Sequence, residues 1–105
     1  MELKDFEEKY IYTFKIIFSD GENFVELREP NVIEMKDFGT DDKQNFELMK
    51  KLFPRCIVNH SFTKDGEKAS VEDVVKIIEK SAMLYQEVIT KWVSQLPLAK
   101  RLQAK

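Results

Sequence analysis

The pair Asp20-Gly21 lies between two segments of alternating apolar residues, and it constrains the fold more than any other feature of the sequence. Asp-Gly is a preferred pair for the two-residue turn that joins antiparallel strands. We therefore predict a strand over residues 10–18 and a return strand over residues 23–28. The apolar face of the first strand carries Tyr10, Tyr12, Phe14, Ile16 and Phe18.

A turn centred on Asp20-Gly21 also predicts the register of this hairpin. The facing pairs are Phe14–Leu27, Lys15–Glu26 and Ile16–Val25. The first and third pairs share the apolar face, and the second is a favourable charge pair on the other face. A shift by one residue would place Glu26 on the apolar face, so the pattern strongly favours this register.

Pro30 ends the hairpin, because proline suits the first turn of a helix but cannot donate a hydrogen bond within a sheet. We expect a short helix over residues 31–38 that stops at Gly39. Thr40 is expected to cap a second helix, which Pro54 terminates. Residues 55–62 form an apolar connection without an assigned type, and a turn is expected at residues 64–66.

One long helix is expected over residues 71–96, with Ser70 as its N-cap. Apolar residues recur there at alternating spacings of four and three, and we name this set the heptad stripe. It comprises Val71, Val75, Ile78, Ala82, Tyr85, Ile89, Trp92 and Leu96. At about 1.5 Å per residue the helix would be roughly 39 Å long, which is long for a domain of this size.

The order of a hairpin followed by helices predicts an α+β fold, in which a small antiparallel sheet packs on helices. With 105 residues, the chain is expected to form one domain. Its expected parts are the hairpin (10–28), a helical part (31–96) and a frayed basic tail (98–105).

Covalent and targeting features point to the cytoplasm. Cys56 is the only cysteine, so no intrachain disulfide can form. Residues 1–9 are rich in charge and contain no apolar core of a signal peptide. No uncharged stretch approaches the roughly 20 residues of a membrane span, so no membrane association is expected.

The sequence offers no metal, cofactor or catalytic motif. His60 is the only histidine, and with Cys56 it supplies at most two zinc ligands. Gly21, Gly39 and Gly66 stand far apart, so no glycine-rich phosphate loop is present. We therefore expect a protein that is not an enzyme and needs no cofactor.

The formal net charge of −2 conceals an asymmetry along the chain. Residues 1–47 hold 13 acidic and 6 basic side chains, whereas residues 48–105 hold 6 acidic and 11 basic ones. Either the two halves complement each other within one chain, or the acidic part of one copy meets the basic part of the next. Near-neutrality makes nucleic-acid binding improbable as a function.

The heptad stripe also has two interpretations. It is either the core that covers the hairpin or, where the helix outruns the sheet, a surface for helix binding and self-association. On the second interpretation the expected protein-interaction residues are Tyr85, Ile89, Trp92 and Leu96, with the two aromatic residues as anchors.

The hairpin and its exit, with Leu27-Arg28-Glu29-Pro30 followed by Glu34, resemble the small tail assembly chaperones of long-tailed bacteriophages and related prophage proteins. The resemblance covers about residues 10–38. It implies a non-catalytic protein of the host cytoplasm that forms oligomers, coats the helical tape measure protein and delivers it to the growing tail tube. It carries no catalytic residues.

Three other functions remain open from the sequence. The chain could be a structural tail or baseplate-assembly subunit, which would be found in purified virions. It could be a small intracellular adaptor for another protein. A weak nucleic-acid binder would use the basic second half and would show a steep salt dependence.

Overall fold

A computed structural model describes residues 1–96 of the chain. The predicted basic tail (98–105) and Pro97, the predicted end of the last helix, lie outside these residues. The elements in chain order are α1 (Leu3–Tyr10), β1 (Thr13–Ile17), β2 (Phe24–Arg28), α2 (Asp42–Cys56), β3 (Ile57–His60), β4 (Thr63–Lys64), β5 (Glu67–Lys68), α3 (Val71–Glu79) and α4 (Ala82–Gln95).

Strands β1 and β2 form the predicted hairpin in the predicted register, with Phe14 opposite Leu27 and Ile16 opposite Val25. The turn differs, because Phe18 and Asn23 still pair through a backbone hydrogen bond and four residues connect them. The expected two-residue turn at Asp20-Gly21 is therefore wrong. The register is unchanged because both turns are centred on the same peptide bond.

Lys15 and Glu26 also face each other as predicted, but they form no ion pair within the described part of the chain. Thr13 donates its hydroxyl hydrogen to the Glu26 carboxylate over 2.6 Å. The Lys15 ammonium group lies 4.5 Å from the centre of the Phe24 ring. Both charged side chains thus find other partners on the exposed face.

A third strand, β3, follows α2 without a connecting loop and pairs antiparallel with β2, so the sheet order is β1-β2-β3. The register shifts between Glu26 and Leu27, which marks a bulge. Strands β4 and β5 form a separate hairpin. The expectation that residues 31–96 are helical is therefore wrong for these three strands.

The predicted turn at residues 64–66 is the connection between β4 and β5. Asp65 and Gly66 both have positive φ angles, of 53° and 83°. Positive φ at both central residues is the requirement of a type I′ hairpin turn, which Asp-Gly satisfies at low steric cost. The two-residue Asp-Gly turn expected near residue 20 thus occurs in this second hairpin.

Residues 31–38 form successive turns and not the predicted helix. Asn31 and Glu34 nevertheless exchange the two reciprocal hydrogen bonds that are typical of a helix N-terminus. The Glu34 backbone N–H donates to the Asn31 side chain, and the Asn31 N–H donates to the Glu34 carboxylate, both over 2.9 Å. The segment contains the first-turn pattern but does not continue as a helix.

Helix α2 differs from the prediction at both ends. Asp41 and not Thr40 is the N-cap, since its carboxylate accepts hydrogen bonds from the backbone N–H groups of the first turn. The helix also continues past Pro54 to Cys56. Proline lacks the N–H that would bond to the Lys50 carbonyl, and another donor reaches that oxygen.

The predicted long helix over residues 71–96 is two helices, α3 and α4, separated at Lys80-Ser81. Ser70 caps α3 as predicted, and Ser81 caps α4 by accepting a hydrogen bond from the Leu84 N–H. The break divides the heptad stripe between these two helices.

The core lies between the three-stranded sheet and the helices α2, α3 and α4. Helix α2 contacts β2, helix α4 contacts β1, and the three helices contact one another. The α+β fold class with an N-terminal hairpin is confirmed. The buried apolar residues are Ile16, Val25, Leu27, Met49, Phe53, Cys56, Ile57, Val74, Val75, Ile78, Val88, Ile89, Trp92 and Leu96.

Helix α1 was not predicted, because Tyr10 was assigned to the first strand. Every residue from Met1 to Thr13 is exposed, so α1 adds nothing to the core. No helix within residues 1–96 combines the length and apolar character needed to cross a membrane.

Candidate functional site

The four expected interaction residues of the heptad stripe lie mostly in the core. Ile89 and Trp92 have no exposed surface, Leu96 is 8% exposed, and Tyr85 is half-buried. The Trp92 indole N–H donates to the Arg28 carbonyl oxygen over 3.2 Å. The burial of these side chains supports the first interpretation of the heptad stripe, in which it forms the core, because they pack within their own chain.

The junction residues Leu27 to Glu34 also have structural roles. Leu27 is fully buried. Arg28 holds Glu34 through two hydrogen bonds of 2.7 and 3.1 Å and donates to the Arg55 carbonyl oxygen over 3.2 Å. The Arg28 guanidinium holds the pKa of the Glu34 carboxyl group at about 2, against an ordinary value of 4.5. This pair ties the exit of β2 to the end of α2.

Cys56 and His60 are both buried, and within residues 1–96 neither belongs to a group of side chains that could hold a metal ion. Burial raises the pKa of the Cys56 thiol to about 11, which keeps it protonated and unreactive at neutral pH. The Phe62 N–H donates to His60 Nδ1 over 3.1 Å. Within residues 1–96 no three His, Cys, Asp or Glu side chains are grouped to hold a metal ion.

The main concave surface is a groove of about 600 Å³ between the tip of the first hairpin, the β4–β5 hairpin and helix α3. Phe18 lines it from the hairpin tip, Phe62 from the segment before β4, and Ile77 from α3. Leu84, in the first turn of α4, also lines it. We refer to this surface as the apolar groove.

The two phenylalanine side chains of the apolar groove contact each other, and hydrogen bonds connect the backbone segments around them. Their rings pack edge to face with their centres 5.6 Å apart. Ser61 connects the neighbouring strands, since its hydroxyl accepts from the Phe24 N–H over 2.9 Å and lies 3.0 Å from the Asn23 side-chain oxygen. The Ala69 N–H donates to the Phe62 carbonyl oxygen, which fixes the opposite wall.

Lysine side chains lie at the edge of this groove. Lys64 forms an ion pair with Asp73 over 3.3 Å, and this pair lowers the pKa of the Asp73 carboxyl group. Lys76 and Lys80 also line the groove and take part in none of the ion pairs of residues 1–96. Beside the Lys64–Asp73 pair, the charged lining therefore comprises these two lysines and the single carboxylate of Asp20, none of which forms an ion pair in the described part of the chain.

The acidic and basic halves are not joined by ion pairs across the fold. Four ion pairs form among residues 1–96, and only Glu47–Lys50 connects the two halves. Both residues lie in α2, one turn apart. Direct pairing within one chain therefore contributes little to the first interpretation of the charge asymmetry.

Helix α1 presents a second exposed apolar surface. Leu3, Phe6 and Tyr10 share one face of the helix at spacings of three and four residues. The Phe6 and Tyr10 rings contact each other with their centres 4.7 Å apart, and both side chains are about half exposed. This spacing is readable in the sequence once Tyr10 is not assigned to a strand.

Sequence reasoning missed the apolar groove because its lining comes from three separate segments. Phe18 was assigned to the apolar face of the first hairpin, Phe62 to an unassigned connection, and Ile77 to no face. Comparison with family models, with curated proteins and with solved structures yields no match for this chain.

Proposed function

We propose that this chain is a non-catalytic assembly chaperone that binds an apolar helical segment of another protein in the apolar groove. The observation that carries this proposal is the apolar lining of the groove, to which Ile77 contributes an exposed side chain and Phe18 and Phe62 contribute partly buried ones. Helix-binding grooves take side chains spaced three and four residues apart along one helix face. The volume of about 600 Å³ is within the range of roughly 300–1,000 Å³ that is typical of ligand sites.

The charges at the groove specify the chemistry of the segment. Lys76 and Lys80 would attract acidic side chains that flank the apolar stripe of a bound helix. Opposite charges at the edge of an interface increase the association rate and disfavour wrong partners more than they add affinity. The expected ligand is therefore an amphipathic helix with Asp or Glu beside its apolar face.

The resemblance to tail assembly chaperones supplies the identity of the partner. On this proposal the client is the tape measure protein, and binding takes place in the cytoplasm before the tail tube is complete. The junction residues that carry the resemblance have structural roles in this fold. The apolar groove is thus the stronger physical support for the proposed binding activity.

Peptide binding tests the proposal. Labelled peptides that tile a phage tape measure protein would be titrated with the full-length protein, and binding would be followed by fluorescence anisotropy. Ile77→Gln should weaken binding by about tenfold or more, because the 60% exposed Ile77 side chain would be covered in the complex.

Val32→Gln is the matched control, since Val32 is 89% exposed and lies outside the groove. It should leave the affinity unchanged. The proposal is contradicted if no peptide binds, or if both variants weaken binding equally.

The two alternative functions are separated by where the protein is found. A structural tail or baseplate-assembly subunit would remain in purified virions at a fixed copy number. A chaperone would be present in the lysate of infected cells and absent from finished particles. An adaptor for a cellular protein would bind no peptide of the tail proteins.

A further inference from the structure

We infer that α1 of one copy of this chain occupies the apolar groove of a second copy, so that copies associate head to tail. The inference rests on the groove assigned in the proposed function, but it does not depend on the identity of the client. The two surfaces that it joins are the exposed apolar face of α1 and the apolar lining of the groove.

Helix α1 has the chemistry that the groove selects. Its apolar face consists of Leu3, Phe6 and Tyr10, all three of which are exposed, and the helix has no buried residue. Acidic residues outnumber basic ones around this face. They are Glu2, Asp5, Glu7 and Glu8, against Lys4 and Lys9.

Charge complementarity favours this occupant. Lys76 and Lys80 stand at the groove without an ion-pair partner within residues 1–96, and α1 carries an excess of carboxylates beside its apolar face. Docking of α1 would pair these charges while it covers both apolar surfaces. The acidic first half and basic second half of the chain would then meet between copies and not within one.

The position of α1 favours binding to the groove of a second copy over binding to the groove of its own chain. Helix α1 leads into Thr13 at the start of β1, whereas Phe18, just beyond the other end of β1, lines the groove. A strand of five residues spans about 17 Å at roughly 3.4 Å per residue. Only Ile11 and Tyr12 connect α1 to β1, and no residue of α1 lines the groove of its own chain.

Donor helix and acceptor groove therefore lie at opposite ends of one strand. When a copy donates α1 to its neighbour, its own groove stays free for the next copy. Such a heterologous contact produces rings or open chains and not a closed two-fold dimer. An eight-residue helix buries less than the roughly 800 Å² per partner of a standard interface, so we expect weak, concentration-dependent association.

Complementary variants of the full chain test this contact by sedimentation velocity. Phe6→Gln disables the donor helix and leaves the groove intact, whereas Ile77→Gln disables the groove and leaves α1 intact. Both side chains are at least half exposed, so both variants should keep the fold, which circular dichroism would verify. The wild-type protein should form larger species with rising concentration, and each variant alone should be monomeric.

The decisive sample is the mixture of the two variants. One variant supplies a groove and the other supplies α1, so the mixture should form a 1:1 dimer and nothing larger. Val32→Gln should assemble like the wild type. Raising the salt concentration should weaken wild-type association, because the contact includes exposed ion pairs.

Three results would overturn the inference. The variants assemble as the wild type does, the mixture stays monomeric under conditions where the wild type associates, or the wild type is monomeric at every concentration. Failure of the proposed function is distinguishable, since client peptides would then not bind a protein that still assembles. A monomeric protein that binds client peptides would contradict only the inference.

Discussion

The Tyr85 hydroxyl group donates a hydrogen bond to the Lys50 carbonyl oxygen over 3.2 Å. In an unbroken helix this oxygen would accept from the N–H of the residue four positions later, which is Pro54 and has no N–H. A side chain 35 positions further along the chain thus replaces the bond that proline removes. The contact explains how α2 continues to Cys56 and also joins α2 to α4.

We predict that the cost of Tyr85→Phe depends on Pro54. In the wild type, the substitution leaves the Lys50 carbonyl without its donor and should lower the free energy of unfolding by about 1–2 kcal/mol. In a Pro54→Ala background the backbone N–H is restored, so the same substitution should cost less than half as much. A double-mutant cycle by urea denaturation measures this coupling. Equal costs in both backgrounds would refute the explanation.

Trp92 is predicted to be essential for the fold, because it is fully buried and its indole N–H donates to Arg28. Trp92→Ala should lower the free energy of unfolding by about 3–5 kcal/mol, and Trp92→Phe by about 1–3 kcal/mol. Thermal and urea unfolding followed by circular dichroism give these values. Met83→Ala in the same helix is the control, since Met83 is 85% exposed and its loss should change stability by less than about 0.5 kcal/mol. A stable Trp92→Ala protein would contradict the burial described here.

The Arg28–Glu34 pair predicts a loss of stability in acid. The folded-state pKa of Glu34 is about 2 and its ordinary value is 4.5, so the ionised carboxylate stabilises the fold above pH 4.5. This contribution should disappear progressively as the pH falls from about 4.5 towards 2. Glu34→Gln should cost about 1–3 kcal/mol at neutral pH and flatten the stability curve in that window.

The control for this experiment is Glu29→Gln. Glu29 is in none of the ion pairs of residues 1–96, so its substitution should leave the acid-dependent loss in place. If Glu34→Gln and the wild type lose stability in parallel between pH 4.5 and 2, the pair does not stabilise the fold as described.

Cys56 should resist thiol reagents in the folded protein. Its side chain is fully buried and its pKa is raised to about 11, so the reactive thiolate is scarce and inaccessible. Labelling with a disulfide reagent at neutral pH should be slow without denaturant and complete in it. A Val32→Cys variant should show one fast and one slow equivalent. Fast reaction of Cys56 in the native protein would show that the core opens readily.

The features that the sequence predicted correctly are those that depend on residues close together in the chain. The alternation around Asp20-Gly21 gave the correct register although the turn type is different, because the centre of the loop and the apolar face decide which residues meet. Ser70 was recognised as a cap for the same reason. Its side chain bonds to the Asp73 N–H only three positions later.

Elements that depend on distant residues could not be read in this way. The continuation of α2 through Pro54 needs the hydroxyl of Tyr85, which no local pattern reveals. The break at Ser81 is hidden because the apolar spacing of the heptad stripe continues across it. Strand β3 has only four residues and follows α2 directly, so no turn residue in the sequence indicates where it begins.

The sheet order β1-β2-β3 leaves β1 with one row of unpaired backbone N–H and C=O groups. Such edges invite further strands from other molecules, which is the first step of amyloid-like aggregation. Lys15 stands at the middle of β1 on its exposed face, and a lysine there obliges any added strand to desolvate or pair a charge. The same residue that sequence reasoning assigned to a cross-strand charge pair therefore disfavours the addition of a further strand at the β1 edge.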